Sequence, residues 1–183
     1  MFGKRKARVS AARPVARINA DVMASLMGKL LVDDRRIYPG TNFDQFFAVI
    51  GGVRAPEVVP GYDLPTRADL NLPYHWTGAI AKPILDNQPN HRRMTASEGL
   101  VEIDRVIDAK GKLDEDTPIG KILSAGKVLV FVLDENEGGL LGEPGRVVYV
   151  RLGGGGLCLG LDSAGNDWSD WDDYVFPSVP VRK

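Results

Sequence analysis

Two histidines and a single cysteine are the side chains of this 183-residue sequence best suited to nucleophilic or acid–base work. Cys158 lies between Leu157 and Leu159 in an apolar run, a setting in which a lone cysteine reads as a small buried hydrophobe. His91 is followed by Arg92 and Arg93, whose charges are expected to disfavour its protonated form. His75, between Tyr74 and Trp76, is the better candidate, and His75 and Trp76 together read as a ligand contact. A small hydrolase or transferase built on His75 would draw Asp63 or Asp69 from the same loop as its partner.

Metal and phosphate motifs fail on spacing. No C-x-x-C or H-x-x-x-H pair occurs, so no zinc site is expected. The acidic stretch from Asp162 lacks glycine at its sixth position and glutamate at its twelfth, so it departs from the EF-hand loop. Gly120 to Gly126-Lys127 superficially suggests a phosphate loop, but five residues separate the glycines and Val128 follows the lysine. Helix-forming signals precede that lysine and strand signals follow it, the reverse of what a phosphate loop requires. The four glycines at 153–156 read as a hairpin turn, not as a dinucleotide loop. No metal or cofactor is expected.

What remains is charge. Lys4, Arg5, Lys6, Arg8, Arg13 and Arg17 occupy the first twenty residues with no acidic residue among them. Asp162, Asp167, Asp170, Asp172 and Asp173 fall in a stretch without lysine or arginine, interleaved with Trp168, Trp171 and Tyr174 at three-residue steps. The net charge is only −1, so the separation is visible solely along the chain. A basic arm can lie on phosphate backbones or on an acidic protein surface, such as the Asp-rich segment of a neighbouring copy. The acidic segment can be a contact whose rings anchor and whose charges steer, or a solvated loop whose rings cover the core edge. Residues Lys4, Arg5, Lys6, Arg8, Arg13, Arg17, Trp168, Asp170, Trp171, Asp172 and Asp173 are therefore the candidate partner-binding set.

The elements that must position these groups follow from periodicity. A chain of this length can bury roughly 70% of its unfolded surface, and 44% hydrophobic with 26% charged residues is a globular composition. Pro14 opens a helix in which Val15, Ile18, Val22, Leu26 and Leu30 form one face, ending near Val32. Thr41 caps a shorter helix faced by Phe43, Phe46, Phe47 and Ile50, which reads as core. Residues 53–76, with four prolines, read as an extended loop, Thr77 to Leu85 as an edge strand broken by Pro83, and Asn87 to Thr95 as polar loop. Ser97 is expected to cap a helix through Ile107, and Thr117-Pro118 to open another that Gly126 stops. Val128–Leu133 reads as a central strand, followed by strands at Arg146–Leu152, Leu157–Leu161 and, at an edge, Val175–Val181.

The expected fold is α+β, with N-terminal helices packed on a small, mainly antiparallel C-terminal sheet. A basic arm at 1–13 precedes one domain at 14–183, helix-rich over 14–126 and strand-rich over 127–183. The expected function is a non-enzymatic structural or adaptor component of a macromolecular assembly, a phage or viral particle being one setting. It would bind protein partners, a second copy among them, with nucleic acid through residues 1–17 as the alternative. The arm is arginine-rich like an organellar transit peptide but carries no secretory h-region, and no apolar run approaches the ~20 residues of a membrane helix. A cytoplasmic or in-particle location is expected, with the lone cysteine favouring a reducing compartment.

Overall fold

The structure, a computed structural model, describes residues 25–26, 61–134, 145–153, 156–168 and 173–181. The basic arm, the Phe-faced helix, Asp170, Trp171 and Asp172 lie outside the described residues, as does the helix read from Pro14 apart from Ser25 and Leu26. Those two residues are helical, and Leu26 is buried in the core.

The fold is α+β. In chain order the elements are α1 (Gly78–Asp86), β1 (His91–Arg93), α2 (Ala96–Val106), α3 (Pro118–Ser124), β2 (Val128–Val132), β3 (Val147–Gly153), β4 (Gly156–Asp162), β5 (Tyr174–Val175) and β6 (Ser178–Pro180). Strands β4, β3, β2 and β5 form one sheet in that spatial order, and β1 with β6 forms a separate antiparallel ribbon. The β2–β3 and β3–β4 pairs are antiparallel, whereas β5 runs parallel to β2. The C-terminal sheet is thus mainly antiparallel, as expected, with one short parallel pairing at β5.

Alternation along the strands sorts the core into two layers. Leu129, Phe131, Val148, Val150, Leu157 and Leu159 face a cluster completed by Leu100, Ile103 and Val106 of α2 and Ile119 and Leu123 of α3. Val128, Val130, Val132 and Val147 face the opposite side, against Ala81 and Leu85 of α1 and against Trp76, Tyr174 and Phe176. The sheet is therefore covered on both faces, which is why β2 is apolar at all five positions and shows no polar alternation.

Four local readings change. Thr77 to Leu85 is not an edge strand: Thr77 caps α1 by accepting from the Ile80 N–H, and Gly78, Ala81 and Leu85 fall on one helical face. Pro83 removes one helical donor within α1 but leaves its own carbonyl free to accept from both the Asn87 backbone N–H and side-chain amide. Asn87 to Thr95 is not all loop, because β1 pairs with β6 through His91↔Pro180, Arg92↔Val179 and Arg93↔Ser178. The cap of α2 is Thr95, not Ser97. Thr95 and Glu98 each accept from the other's backbone N–H, a full capping box. The last strand is two strands, split between the main sheet and the ribbon by Phe176 and Pro177.

Gly120 to Lys127 shows why the phosphate-loop likeness is spurious. Thr117 and Pro118 open α3 as expected, and Gly126 sits at φ +80° past its end. The Gly126 N–H donates to the Leu123 carbonyl and the Lys127 N–H to the Ile122 carbonyl. That pair of bonds is a Schellman stop, which uses the glycine to satisfy carbonyls at a helix C-terminus. The four-glycine stretch is likewise a hairpin connection, with Gly153 opposite Gly156 across β3 and β4.

The start of α1 is locked against two distant segments. The Ala79 N–H donates to the Ala164 carbonyl at 3.1 Å, and a Cβ at Gly78 would lie 1.7 Å from the Gly145 carbonyl oxygen. That oxygen is backbone and cannot swing aside. Gly78→Ala is expected to cost about 1–3 kcal/mol, the usual range for overpacking. Urea unfolding would show it as a lower midpoint with an unchanged slope, and an unshifted midpoint would contradict the close packing.

Candidate functional site

The connection between β4 and β5 organises the most distinctive surface. β4 is antiparallel to β3, and β3 to β2, so β4 and β5 run in the same direction from opposite edges of the sheet. Joining parallel strands requires a crossover. The described part of this one, 163–168, lies on the α1 face, where the Trp168 N–H donates to the Trp76 carbonyl at 2.9 Å. The two indoles stack with centroids 5.5 Å apart at 15°. Tyr174 and Phe176 meet the Trp76 ring edge-on, and Tyr149 and Tyr174 do the same to Trp168. Gly160, across from Tyr149, makes room for the tyrosine ring, since a Cβ there would sit 2.1 Å from it.

Trp76 is 0% exposed. The reading of Trp76 as a ligand contact is therefore corrected: its ring is a core element. Trp168 is half-buried and belongs to the same cluster, so the ring-over-core reading describes it. The indole N–H groups of both tryptophans are buried with no hydrogen-bond acceptor among the described residues. Each costs about 1–3 kcal/mol, whereas burying ~200 Å² of aromatic surface contributes about 5 kcal/mol. Packing outweighs the lost bonds.

What this anchor presents to solvent is a small polar corner. The His75 Nδ1 lies 3.3 Å from Asp167 Oδ2, with side chains 70% and 57% exposed. Tyr74 is 54% exposed, meets the His75 ring edge-on at 5.3 Å, and carries the Arg67 guanidinium 5.7 Å above its face. Arg67 also donates to the Leu72 carbonyl at 2.9 Å, fixing the turn that delivers Tyr74. Asp173 lies at the far end of the crossover, where its carbonyl accepts from the Val128 N–H. His75 is thus paired with Asp167, and neither of the partners considered for it is the one it meets. Asp69 instead closes a turn on Thr66, and the Thr66 backbone N–H and hydroxyl hold its carboxyl below the usual range.

Asp63 meets the other histidine. His91 Nε2 lies 3.0 Å from Asp63 Oδ2, and Nδ1 lies 3.0 Å from the Pro89 carbonyl oxygen. Ser178 lines the same 230 Å³ cavity, which therefore holds the residue types of a serine hydrolase. The arrangement is a clasp instead, because both ring nitrogens already face acceptors and neither is turned to activate a hydroxyl. The expectation for His91 is also reversed. The Pro89 carbonyl first, and then Asp63, raise its pKa above the ordinary value. The neighbouring arginines do not oppose this, since each is neutralised elsewhere. Arg92 forms two bonds of 2.9 and 2.7 Å with Glu98, and Arg93 pairs with Asp86 at 2.5 Å and Asp134 at 3.5 Å.

Those pairs form structural networks. Burial alone would raise the Glu98 carboxyl, but Arg92 and the Thr95 capping bonds outweigh it and hold the group below its usual range. Asp86 behaves alike: burial is outweighed by Lys82 and Arg93. Lys82 reaches Asp86 at 2.7 Å and Asp134 at 3.5 Å, and Arg93 also donates to the Val132 carbonyl, so α1, β1 and the end of β2 share one network. Cys158 lies in β4 opposite Arg151, while the histidine bonds above run to Asp167, Asp63 and Pro89. Among the described residues no group of three or more histidine, cysteine or acidic side chains is placed to hold a metal ion, and no helix is long and apolar enough to cross a membrane.

Comparison with protein-family models, with curated proteins and with solved structures finds no match to this chain.

If the tryptophan stack holds the crossover, Trp168→Ala should lower stability by about 2–4 kcal/mol. Asp167→Asn, an exposed change, should stay within about 0.5 kcal/mol. Denaturant midpoints of the two variants decide it, and equal midpoints would contradict the anchoring role.

Proposed function

We propose that this chain is a non-enzymatic structural or adaptor component of a macromolecular assembly, joined to protein partners through its basic N-terminal arm and the acidic-aromatic surface around residues 162–174. The observation that carries this reading is the pinned corner of Tyr74, His75 and Asp167. An exposed tyrosine, a histidine–carboxylate pair and the start of the Asp-rich segment are held on a stacked tryptophan that cannot easily move. Tyrosine at a rigid position contributes large contact area at low conformational cost, and rim carboxylates steer a cationic partner into place.

The partner chemistry that suits this corner is a lysine- or arginine-rich protein surface. Within this sequence, residues 4–17 have that character, so a second copy is the first partner to test. His91 and the buried Glu98, engaged as a clasp and a cap, serve the shape of the domain in this reading. A phage or viral particle remains one setting for such a component.

Removal of residues 1–13 should leave a folded domain that no longer joins its partner, as followed by sedimentation and co-purification. Tyr74→Ala should weaken the same association about 5–30-fold, the effect of a hot-spot residue worth ~1–2 kcal/mol. Normal assembly of the truncated and Tyr74→Ala proteins would overturn the proposal. Binding to RNA or DNA that falls steeply with salt would transfer the arm to the nucleic-acid alternative.

A further inference from the structure

We infer that His91 is a proton-operated clasp, which in its doubly protonated form ties the 61–66 segment to the β1–β6 ribbon and loosens that tie when a proton leaves. The Pro89 carbonyl and the Asp63 carboxylate offer only lone pairs, so a ring bonded to both at 3.0 Å must donate from Nδ1 and Nε2 together. A neutral imidazole carries one N–H and can serve only one of them. Loss of the proton forces that choice and removes the charge-assisted pair in either case.

The rest of the segment is held independently of the clasp. Tyr62 and Leu64 pack on the core, the Tyr62 hydroxyl donates to Glu102, and the Phe176 N–H donates to the Pro65 carbonyl, so the clasp governs the tie at Asp63 itself. Asp63 bridges Ser178 through two backbone bonds, its N–H to the Ser178 carbonyl at 2.8 Å and the Ser178 N–H to its own carbonyl at 3.0 Å. Thr66 makes a second isolated bridge to Val175. The clasp therefore spans from the β1 end of the ribbon to a single bridge on the β6 side.

The charges around the ring favour the imidazolium. Asp63 and Asp69 face it from the 61–70 segment, and Asp86 of α1 and Asp134 beyond β2 line the adjoining cavity with it. Arg92 and Arg93 flank it on its own strand, but their guanidinium groups are engaged by Glu98, Asp86 and Asp134. With the folded pKa raised above the ordinary value of about 6.5, the clasp is complete below that pH. It is lost as pH rises through the folded pKa.

The chain has only two histidines, so their imidazole signals in a proton–nitrogen spectrum are assigned by His91→Gln alone. In the full-length protein, His91 should titrate above about 6.5, and in Asp63→Asn its midpoint should fall toward that value. Amide protection factors at Asp63 and Ser178, measured between about pH 5 and pH 9 across the range where imidazoles titrate, should drop through the His91 midpoint in the natural protein and stay level in His91→Gln. A His91 midpoint that Asp63→Asn leaves in place, or protection that follows the same curve in His91→Gln, would overturn the proposal. Should Asp63→Asn fail to fold, the protection curves of the natural protein and His91→Gln decide the matter without it.

Discussion

The stack of Trp168 on Trp76 fixes a connection that local sequence cannot place, the crossover from β4 to β5. Its two strands lie at opposite edges of a four-stranded sheet, with β3 and β2 between them. A chain making that passage pays the closure entropy of a long loop before β5 can pair. Burial of two indoles against Tyr149, Tyr174 and Phe176 offsets much of that cost. Once Trp168 is seated, the Asp-rich segment has a fixed start, Ala164 holds the first turn of α1, and Tyr74 and His75 are delivered beside Asp167.

The charged residues follow a consistent logic. At two partly buried carboxylates a cation or capping N–H outweighs burial: Arg92 and Thr95 at Glu98, Lys82 and Arg93 at Asp86. At Asp162, by contrast, burial outweighs the Asn166 amide and raises the pKa. Burying an unmet charge would be far costlier than any gain from packing it. Such pairs tie helices to strands, so α1, β1 and the end of β2 are joined by one polar network. Tyr62 shows the same rule with a neutral group. Its hydroxyl donates to Glu102 at 3.0 Å, and burial followed by the Glu102 charge pushes its pKa well up, keeping it a donor.

Much of the fold was legible wherever its determinants lie within a few residues of one another. Thr117-Pro118 and Gly126 mark both ends of α3, and the apolar run at 128–132 marks a strand covered on both faces. The glycine hairpin between β3 and β4 belongs to the same class. Pro83 misled because proline argues against a helix interior, yet Thr77 caps that helix and α1 packs on the sheet. Thr95 with Glu98 has capping-box spacing, so the true start of α2 was available in the sequence beside the weaker signal at Ser97. The parallel β5 and the ribbon of β1 with β6 were not, because each pairs residues far apart in the chain. The site followed the same division. His75 was singled out from its neighbours, but its partner is 92 residues away. The pKa of His91 is raised by the Pro89 carbonyl and by Asp63, 28 residues away, while the adjacent arginines are engaged elsewhere.

The central claim is that the anchored acidic-aromatic surface is where this protein meets its partner. Amide hydrogen exchange on the full chain, alone and in its assembled form, tests it most directly. The account predicts added protection concentrated at residues 74–75 and 162–174, with the α2–α3 face unchanged. Protection gained elsewhere, with those two segments exchanging as in the isolated chain, would contradict it.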